Sequence, residues 1–249
     1  MINKTSLGCQ KDKFDLKRKF TVILVKPEKP ENIGLVARCM KNTGFESLRV
    51  VGINTFAQKS YLTAVHAKKI LENASLYADL DEATSDLNLI FAATSKERKN
   101  FVLFPLEEAV TRMFQFPFST KIGLLFGCER TGLTSEELKS ANITFVIPQA
   151  SKQPSYNLSS AVLITLFQIF NYNQTKEDNG VRREPISRKE QEECIRLILK
   201  KLEGKKFIHK GNKTHVTEMI YDIFGRLTMS SRDRRLLLAL FSKGVNKRE

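Results

Sequence analysis

The sequence lacks tryptophan and contains few histidines and cysteines. Its 249 residues include no Trp, three His and four Cys. The cysteines (Cys9, Cys39, Cys128 and Cys194) stand alone, without a C-x-x-C pair. A structural zinc site and a disulfide framework both need clustered ligands or paired cysteines. We therefore expect reduced thiols and no metal.

Long apolar runs and several common ligand motifs are also missing. No stretch of about 18 apolar residues is present, so we expect no membrane span. Residues 1–19 are polar and basic and lack the apolar segment of a secretory signal, which predicts a cytoplasmic protein. There is no G-x-G-x-x-G after a strand, no Walker A sequence and no G-x-S-x-G elbow. Their absence argues against a Rossmann dinucleotide site, a P-loop and a serine hydrolase.

The positive charge is concentrated at the two ends of the chain. The formal net charge is +14. Residues 1–20 carry six Lys or Arg against two Asp or Glu, residues 21–175 carry 16 against 14, and residues 176–249 carry 19 against 11. A neutral middle with basic ends indicates a catalytic or binding body with appendages for a polyanion, although a solvated surface would have the same composition.

The apolar pattern predicts an α/β body followed by a helical region. Short β-branched runs alternate with helical stripes from residue 20 to residue 172, which predicts a parallel sheet with helices on both faces. The predicted strands are Phe20–Val25, Leu48–Gly52, Leu87–Thr94, Lys121–Gly127 and Asn142–Pro148. The predicted division is a basic arm (1–19), an α/β domain (20–173), a linker (174–187) and a helical extension (188–249).

Polar residues follow three of the predicted strands. "KPEKPENIGLVAR" brings Asn32 and Arg38, "GCERTGL" brings Glu129, and "PQASKQPSYNLSS" brings Ser155 and Asn157. Ligands of an open α/β sheet bind at the carboxyl ends of its strands, so these residues predict one site. Taken singly, Arg38 could simply extend from an amphipathic helix. Glu129 could cap the helix that begins near residue 134, and the other two could be ordinary N-caps.

These stretches also carry a family resemblance. "PENIGLVARCMKNTG", "LLFGCERTGL" and "IPQASKQPSYNLSSAV" resemble, in this order, the three motifs of the SPOUT-type RNA ribose 2′-O-methyltransferases. The resemblance is strongest to the TrmJ-like branch, which modifies tRNA. "AATSKER" and "FGRLTMSSRDRRLLLALF" extend it over residues 20–241. It implies a SPOUT α/β fold with a C-terminal deep trefoil knot, a homodimer and S-adenosyl-L-methionine as cofactor.

The resemblance also implies residue roles. Arg38 matches the catalytic arginine proposed for the family, supported by Asn32, Glu129, Ser155 and Asn157. The implied cofactor-binding residues are Thr94, Ser95, Lys96, Gly127, Ile147, Pro154, Ser155, Tyr156 and Leu158. Gly127 is expected to let the backbone approach the cofactor, and Gly132 to serve the following turn. Tyr156 stands where the family has Leu, and it could stack on the adenine or fill the pocket.

The implied activity is methylation of a ribose 2′-hydroxyl, which DNA lacks. We expect transfer from S-adenosyl-L-methionine to tRNA at the anticodon-loop nucleotide 32, a cytidine or uridine. Two alternatives stay open: a 23S rRNA ribose 2′-O-methyltransferase, and a knotted RNA-binding protein without catalysis.

Overall fold

The fold is built on one parallel sheet of seven strands. The computed structural model describes residues 16–95, 101–150, 155–175, 184–225 and 227–242. The strand order is β3-β2-β1-β6-β4-β7-β5, and every neighbouring pair is parallel. The strands are β1 Phe20–Val25, β2 Ser47–Val51, β3 Ser75–Tyr77, β4 Leu89–Ala93, β5 Leu103–Pro105, β6 Ile122–Phe126 and β7 Ile143–Val146. The predicted α/β class with a parallel sheet is confirmed.

Helices cover both faces of this sheet and form the C-terminal region. They are α1 Leu16–Lys19, α2 Pro30–Thr43, α3 Gln58–Ala64, α4 Lys68–Glu72, α5 Leu80–Thr84, α6 Leu106–Met113, α7 Ser135–Lys139, α8 Leu158–Thr175, α9 Arg188–Gly204, α10 Lys213–Gly225 and α11 Ser231–Ser242. The sequence pattern did not predict β3, β5, α5 or α6. The two edge strands have only three residues each, too few to show an alternating pattern.

The central strand β1 is buried on both faces, which explains its unbroken apolar sequence. Phe20, Val22 and Leu24 pack in the core that includes α2, α6 and α8. Ile23 and Val25 point to the opposite core, which includes α5 and α7. Because successive side chains of a strand alternate between faces, only an apolar run can fill two cores at once.

Helix α2 begins and ends where its sequence indicates. Pro30 occupies its first turn, where a missing N–H is tolerated. Gly44 follows its last turn with φ +81°, in the left-handed region that glycine enters without strain. The N–H of Phe45 then donates to the Met40 carbonyl at 2.9 Å, which closes the helix end.

The sequence pattern favours one helix over residues 59–73, but the structure divides this segment into two helices. Helix α3 ends at Ala64, a 3₁₀ turn covers Val65–Ala67, and α4 follows. The break lies at Val65, whose φ of +52° cannot continue a right-handed helix. The chain turns there against α2, where the Lys41 ammonium donates to the His66 carbonyl.

The last residues of the predicted N-terminal arm pack on the body. Leu16 and Lys19 are buried. The Lys19 ammonium donates to the carbonyls of Phe116 at 2.9 Å and Pro117 at 3.0 Å. Residues 1–15 of the predicted arm lie outside the described residues.

The C-terminal helices share a small core of their own and attach to the body at defined points. Ser187 and Glu190 form the capping box that their spacing predicts at the start of α9. The Arg188 N–H donates to the Leu87 carbonyl at 2.8 Å. The shared core consists of Ile186, Cys194, Ile195, Ile198, Phe224 and Met229. The predicted boundaries of arm, domain, linker and extension stay a prediction.

No helix in the described ranges combines the length and the apolar character that a membrane crossing requires.

Replacement of Gly34 tests the close packing of α2 on α3. A Cβ at Gly34 would lie 2.1 Å from both the Ser60 carbonyl oxygen and Thr63 Oγ1. We expect Gly34→Ala to lower the free energy of unfolding by about 2–3 kcal/mol, measured by chemical denaturation. Gly204→Ala is the control, because a Cβ there meets nothing within 4 Å. Equal stabilities of the two variants would contradict the packing.

Candidate active site

The loops after β4, β6 and β7 line a cleft at one edge of the sheet, and the loop after β1 is bound to the loop after β6. Parallel strands place all their carboxyl ends on the same edge, as the sequence interpretation assumed. The predicted residues that line this cleft are Thr94, Ser95, Gly127, Glu129, Ile147, Ser155, Tyr156 and Leu158. The structure therefore brings these residues together. Lys96 and Pro154 lie outside the described residues.

The cleft also contains residues that were not predicted from the sequence. Arg130, Thr131, Gln149 and Ala161 belong to its lining. All four lie within the motifs quoted above, and this position was the sequence signal that could have identified them as cleft residues. Their side chains add a cation, a hydroxyl and an amide to a cleft whose base is apolar, formed by residues such as Phe126.

Glu129 connects the loop after β6 to the start of α2. One of its carboxylate oxygens accepts from the N–H of Glu28 at 2.7 Å, and the other from the N–H of Lys29 at 3.1 Å. The second oxygen also accepts from Asn32 Nδ2 at 2.8 Å. An anion at a helix N-terminus is favoured by the free N–H groups and by the helix dipole.

Glu129 thus supports a helix, but not the helix that the sequence suggested. The helix after residue 134, α7, is capped by Thr134 itself, in a capping box with Glu137. The Thr134 hydroxyl accepts from the Glu137 N–H at 3.1 Å. The alternative in which Glu129 caps α7 is therefore wrong.

Asn32 and Asn157 extend the connection to the third motif. Asn157 Nδ2 donates to Asn32 Oδ1 at 3.1 Å, and Asn32 is buried. Asn157 Oδ1 accepts from the Ser159 N–H at 2.9 Å, as an N-cap of α8 does. One chain of hydrogen bonds through Glu129, Asn32 and Asn157 therefore joins the three motif loops.

The environment of Glu129 favours its ionised form. Burial raises the pKa of the carboxyl group. Hydrogen bonds from Asn32 and from the backbone N–H groups of Glu28 and Lys29 outweigh burial, so that the pKa lies below its ordinary value of 4.5. Glu129 is consequently an anion near neutral pH and acts as a hydrogen-bond acceptor.

Arg38 lies apart from the cleft of its own chain. It is exposed on α2, whereas Asn32 on the same helix points inward to Glu129. Within the described ranges, the Arg38 guanidinium has neither a hydrogen bond nor an ion pair. The neighbouring Cys39 thiol lies 3.8 Å from the Ser159 carbonyl, so this face of α2 adjoins the start of α8. Glu129, Asn32 and Asn157 are joined by hydrogen bonds, but Arg38 is not part of this network and does not line the cleft of its own chain.

The glycines of the second motif serve the loop itself. A Cβ at Gly127 would lie 2.3 Å from the Leu133 nitrogen and 2.4 Å from the Gly132 carbonyl carbon. Gly132 adopts φ +67° and donates its N–H to the Cys128 carbonyl at 2.8 Å, as the predicted turn requires. The close approach at Gly127 is thus to its own loop, a physical reason different from the predicted approach to a cofactor.

Tyr156 forms one wall of the cleft. Its hydroxyl donates to the Pro148 carbonyl at 3.1 Å, across the base of the third motif loop, and 40% of the residue is exposed. This bond fixes the ring at the cleft, and its role towards a ligand stays a prediction.

Three potential metal ligands lie beside the cleft, without forming a convincing metal site. Ligand atoms of Glu28, Cys128 and Glu129 lie within 4.8 Å of one another. Both carboxylate oxygens of Glu129 already accept hydrogen bonds, and Glu28 pairs with Arg130 at 3.3 Å. The two carboxylates are therefore engaged in the loop structure.

Comparison with protein families matches residues 19–167 to the SpoU rRNA Methylase family. The chain belongs to this family. The match includes all three motif loops and the cleft between them. The predicted membership of the SPOUT-type RNA methyltransferases is confirmed.

Individual relatives agree with this assignment. The chain is 33% identical over 214 residues to "tRNA (cytidine-2'-O-)-methyltransferase TrmJ" of Methanocaldococcus jannaschii, covering 83% of this chain and 90% of that protein. The crystal structure of TrmJ from Z. mobilis ZM4 superposes with a TM-score of 0.75 at 23% identity, covering 89% of this chain and 97% of that chain. The prediction of an RNA 2′-O-methyltransferase is confirmed by the family and these relatives.

One solved structure in the same fold contains a cofactor. The SpoU methyltransferase AviRb from Streptomyces viridochromogenes, in complex with AdoMet, matches with a TM-score of 0.51 at 18% identity, covering 65% of this chain and 60% of that chain. At this identity the likeness shows the fold alone.

Replacement of Glu129 tests the connection between the loops. Glu129→Gln replaces an ionised acceptor with an amide that cannot accept at both positions. We expect a loss of about 1–2 kcal/mol in the free energy of unfolding at pH 7, measured by chemical denaturation. Glu136→Gln, in the exposed first turn of α7, should change it by less than about 0.5 kcal/mol.

The pH dependence of stability in the wild type and in Glu129→Gln provides a further test. Since the folded-state pKa of Glu129 is lowered, its contribution is present above the unfolded pKa and is lost as pH falls through the folded value, below 4.5. The stability difference between wild type and Glu129→Gln should therefore shrink as the pH falls below 4.5. A difference that grows on acidification would contradict this bonding of the carboxylate.

Proposed function

We propose that this protein is an S-adenosyl-L-methionine-dependent tRNA ribose 2′-O-methyltransferase. The observation that carries the proposal is the hydrogen-bonded chain of Glu129, Asn32 and Asn157, which joins the three motif loops around a cleft. The names of the TrmJ relatives support tRNA as the substrate.

The residues of the cleft fit the proposed cofactor. Ile147, Leu158 and Ala161 offer an apolar wall for an adenine ring, and Tyr156 stands beside them. Gln149, Ser95 and Arg130 offer polar and cationic groups for the ribose and the methionine carboxylate. S-adenosyl-L-methionine, when bound, supplies a methyl group activated by its sulfonium.

The protein has two tasks in this reaction: it must orient the ribose 2′-hydroxyl and stabilise the charge that develops when the hydroxyl loses its proton. Arg38 suits the second task, because a guanidinium keeps its proton and attracts both an RNA phosphate and a developing 2′-oxyanion. Asn32, Ser155 and Asn157 would hold the loops that position the nucleotide.

A second copy of the chain would complete the site. Arg38 faces away from the cleft of its own chain and is absent from its lining, so Arg38 could act only at the cleft of a second copy. Leu35 on α2 and Leu163 and Phe167 on α8 are exposed on the two helices that adjoin Arg38. Such apolar side chains suit an interface with a partner. We therefore propose a homodimer in which the Arg38 of each chain serves the cleft of the other.

The chain path is compatible with the proposed trefoil knot in the C-terminal part of a SPOUT domain at residues 20–173. After β5 at the sheet edge, the chain returns to place β6 between β1 and β4, then β7 between β4 and β5. Helix α8 then packs against α2. The basic extension at residues 188–249 would contact RNA phosphates. A cytoplasmic location is part of the same proposal.

The target nucleotide is proposed to be the cytidine or uridine at position 32 of the anticodon loop. A 23S rRNA ribose is the second candidate, since the matched family is named for rRNA methylation. A binding protein without catalysis is disfavoured, because it would not need the complete set of Arg38, Glu129 and Asn157.

Replacement of Arg38 tests the catalytic proposal. We expect Arg38→Ala to lower the rate of methyl transfer from labelled S-adenosyl-L-methionine to tRNA by about 100-fold or more, the typical effect of losing a charge-stabilising group. Cofactor affinity, measured by calorimetry, should change less than about twofold. Lys41→Ala is the control: it removes the other cation of α2, whose ammonium binds the His66 carbonyl, and should retain most of the activity.

The outcomes separate the candidates. Label in tRNA ribose that maps to another nucleotide would correct the position only. Label confined to rRNA would favour the second candidate. If the wild type does not bind S-adenosyl-L-methionine, the proposal that the protein is a methyltransferase is refuted.

Replacement of Phe167 tests the proposed dimer. Phe167→Glu puts a charge on an aromatic side chain of α8 that is 56% exposed. We expect the molar mass measured by light scattering to halve, and the methyl transfer rate to fall with it, because Arg38 would leave the partner's cleft. Leu62→Glu, at an exposed position of α3, is the matched control. A monomeric wild type with full activity would refute the shared site.

A further inference from the structure

The connection between α9 and α10 has a composition that the cleft does not explain. Residues 204–213 read "GKKFIHKGNK" and join two helices of the C-terminal extension. From residue 200 to residue 213 there are six lysines and one acid. That acid, Glu203, pairs with Lys213 at 2.9 Å, so the segment presents a strong excess of positive charge.

The segment is folded so that an aromatic ring stands in solvent. The N–H groups of Phe207 and Ile208 both donate to the Leu202 carbonyl, at 3.0 Å and 3.3 Å. Lys206 adopts φ +59°, the left-handed conformation that ends a helix in this manner. Ile208 is 6% exposed and anchors the segment, whereas Phe207 is 61% exposed.

Asn212 fixes the segment from its other end. Its Oδ1 accepts from the His209 N–H at 2.8 Å, and its Nδ2 donates to the Phe207 carbonyl at 3.0 Å. The backbone of Phe207 is thus held on both sides. The ring is presented by a defined loop, in which Lys206 and Lys210 are exposed beside it.

We propose that residues 204–213 bind unpaired nucleotides of the RNA substrate, with Phe207 as a stacking surface for a base and Lys206 and Lys210 as phosphate ligands. An exposed aromatic ring among cations is the combination that binds single-stranded nucleic acid. In a duplex the base faces are covered by their neighbours, so the ring selects unpaired nucleotides. The excess of lysine favours RNA over a protein partner, whose docking would not need this charge. The proposal rests on the proposed function only in taking RNA as the substrate.

The loop lies outside the cleft lining, so its proposed contribution is to RNA binding. Helix α9 starts beside the Leu87 carbonyl, before β4, at the edge of the sheet opposite the cleft. Its 17 residues extend for about 25 Å, at 1.5 Å of rise per residue. No residue of the loop lines the cleft, so we expect the loop to contact a part of the RNA other than the methylated nucleotide.

The absence of tryptophan from the chain provides a direct test of stacking. Phe207→Trp introduces a single tryptophan, whose fluorescence is quenched when a base stacks on it. With an unstructured RNA oligonucleotide or with tRNA we expect the signal to fall by about half or more, as for sequence-tolerant base stacking. A fully paired RNA duplex should quench it much less. Leu240→Trp, at a position of α11 that is 62% exposed, is the matched control.

Affinity measurements test the energetic contribution. We expect Phe207→Ala to weaken binding of labelled tRNA, measured by fluorescence anisotropy, about fivefold or more. The double variant Lys206→Glu/Lys210→Glu should reduce the slope of log affinity against log salt by about one or two. Lys68→Glu, at an exposed position of α4 outside the basic extension, should leave both near wild type.

Several results would overturn the proposal. These are equal quenching of the Phe207→Trp and Leu240→Trp proteins, equal quenching by duplex and single strand, or wild-type tRNA affinity in the Phe207→Ala protein. Failure of the proposed function would look different. No methyl transfer to any RNA by the wild type, with selective quenching retained, would reject the enzyme and keep the loop.

Discussion

The arrangement of the site depends on the hydrogen bonds that the Glu129 carboxylate accepts. This carboxylate lies at the N-terminus of α2 and accepts from two backbone N–H groups and from Asn32. Hydrogen bonds to an ionised group are roughly twice as strong as those between neutral groups. Because Asn32 in turn accepts from Asn157, this one charge fixes three loops that are far apart in sequence. The cleft is therefore pre-formed by a polar network whose members are largely satisfied by one another.

Helix α2 presents Asn32 and Arg38 on different faces. Asn32 points into the network and Arg38, six residues later, points to solvent. Six residues at 3.6 per turn rotate the side chain by about 240°, so one rigid helix cannot direct both groups to one cleft. Under the proposed function, Arg38 would therefore serve the cleft of a second copy. The exposed apolar side chains on α2 and α8 would then form the contact between the two copies.

The sequence was sufficient for features that depend on local or periodic signals. The apolar run of β1, the glycine after α2 and the capping box of α9 were all predicted from neighbouring residues. Contacts over long separations were not predictable in this way. Capping of the adjacent helix was the structural alternative for Glu129, but its partner Lys29 lies 100 residues away. The break at Val65 and the burial of Lys19 also depend on tertiary packing, which leaves no periodic trace in the sequence.

The uneven charge of the chain fits the proposed function, in which the cleft carries out the reaction and the basic extension binds the RNA. The body around the cleft is nearly neutral, with 16 basic against 14 acidic residues from position 21 to position 175. A strongly cationic cleft would hold any phosphate of an RNA, and most such complexes would place the wrong nucleotide at the reacting methyl group. The cations of the loop after α9 would instead bind the RNA outside the cleft, because no residue of that loop lines it. Binding energy gained there can orient one ribose in the cleft without strengthening unproductive contacts inside it.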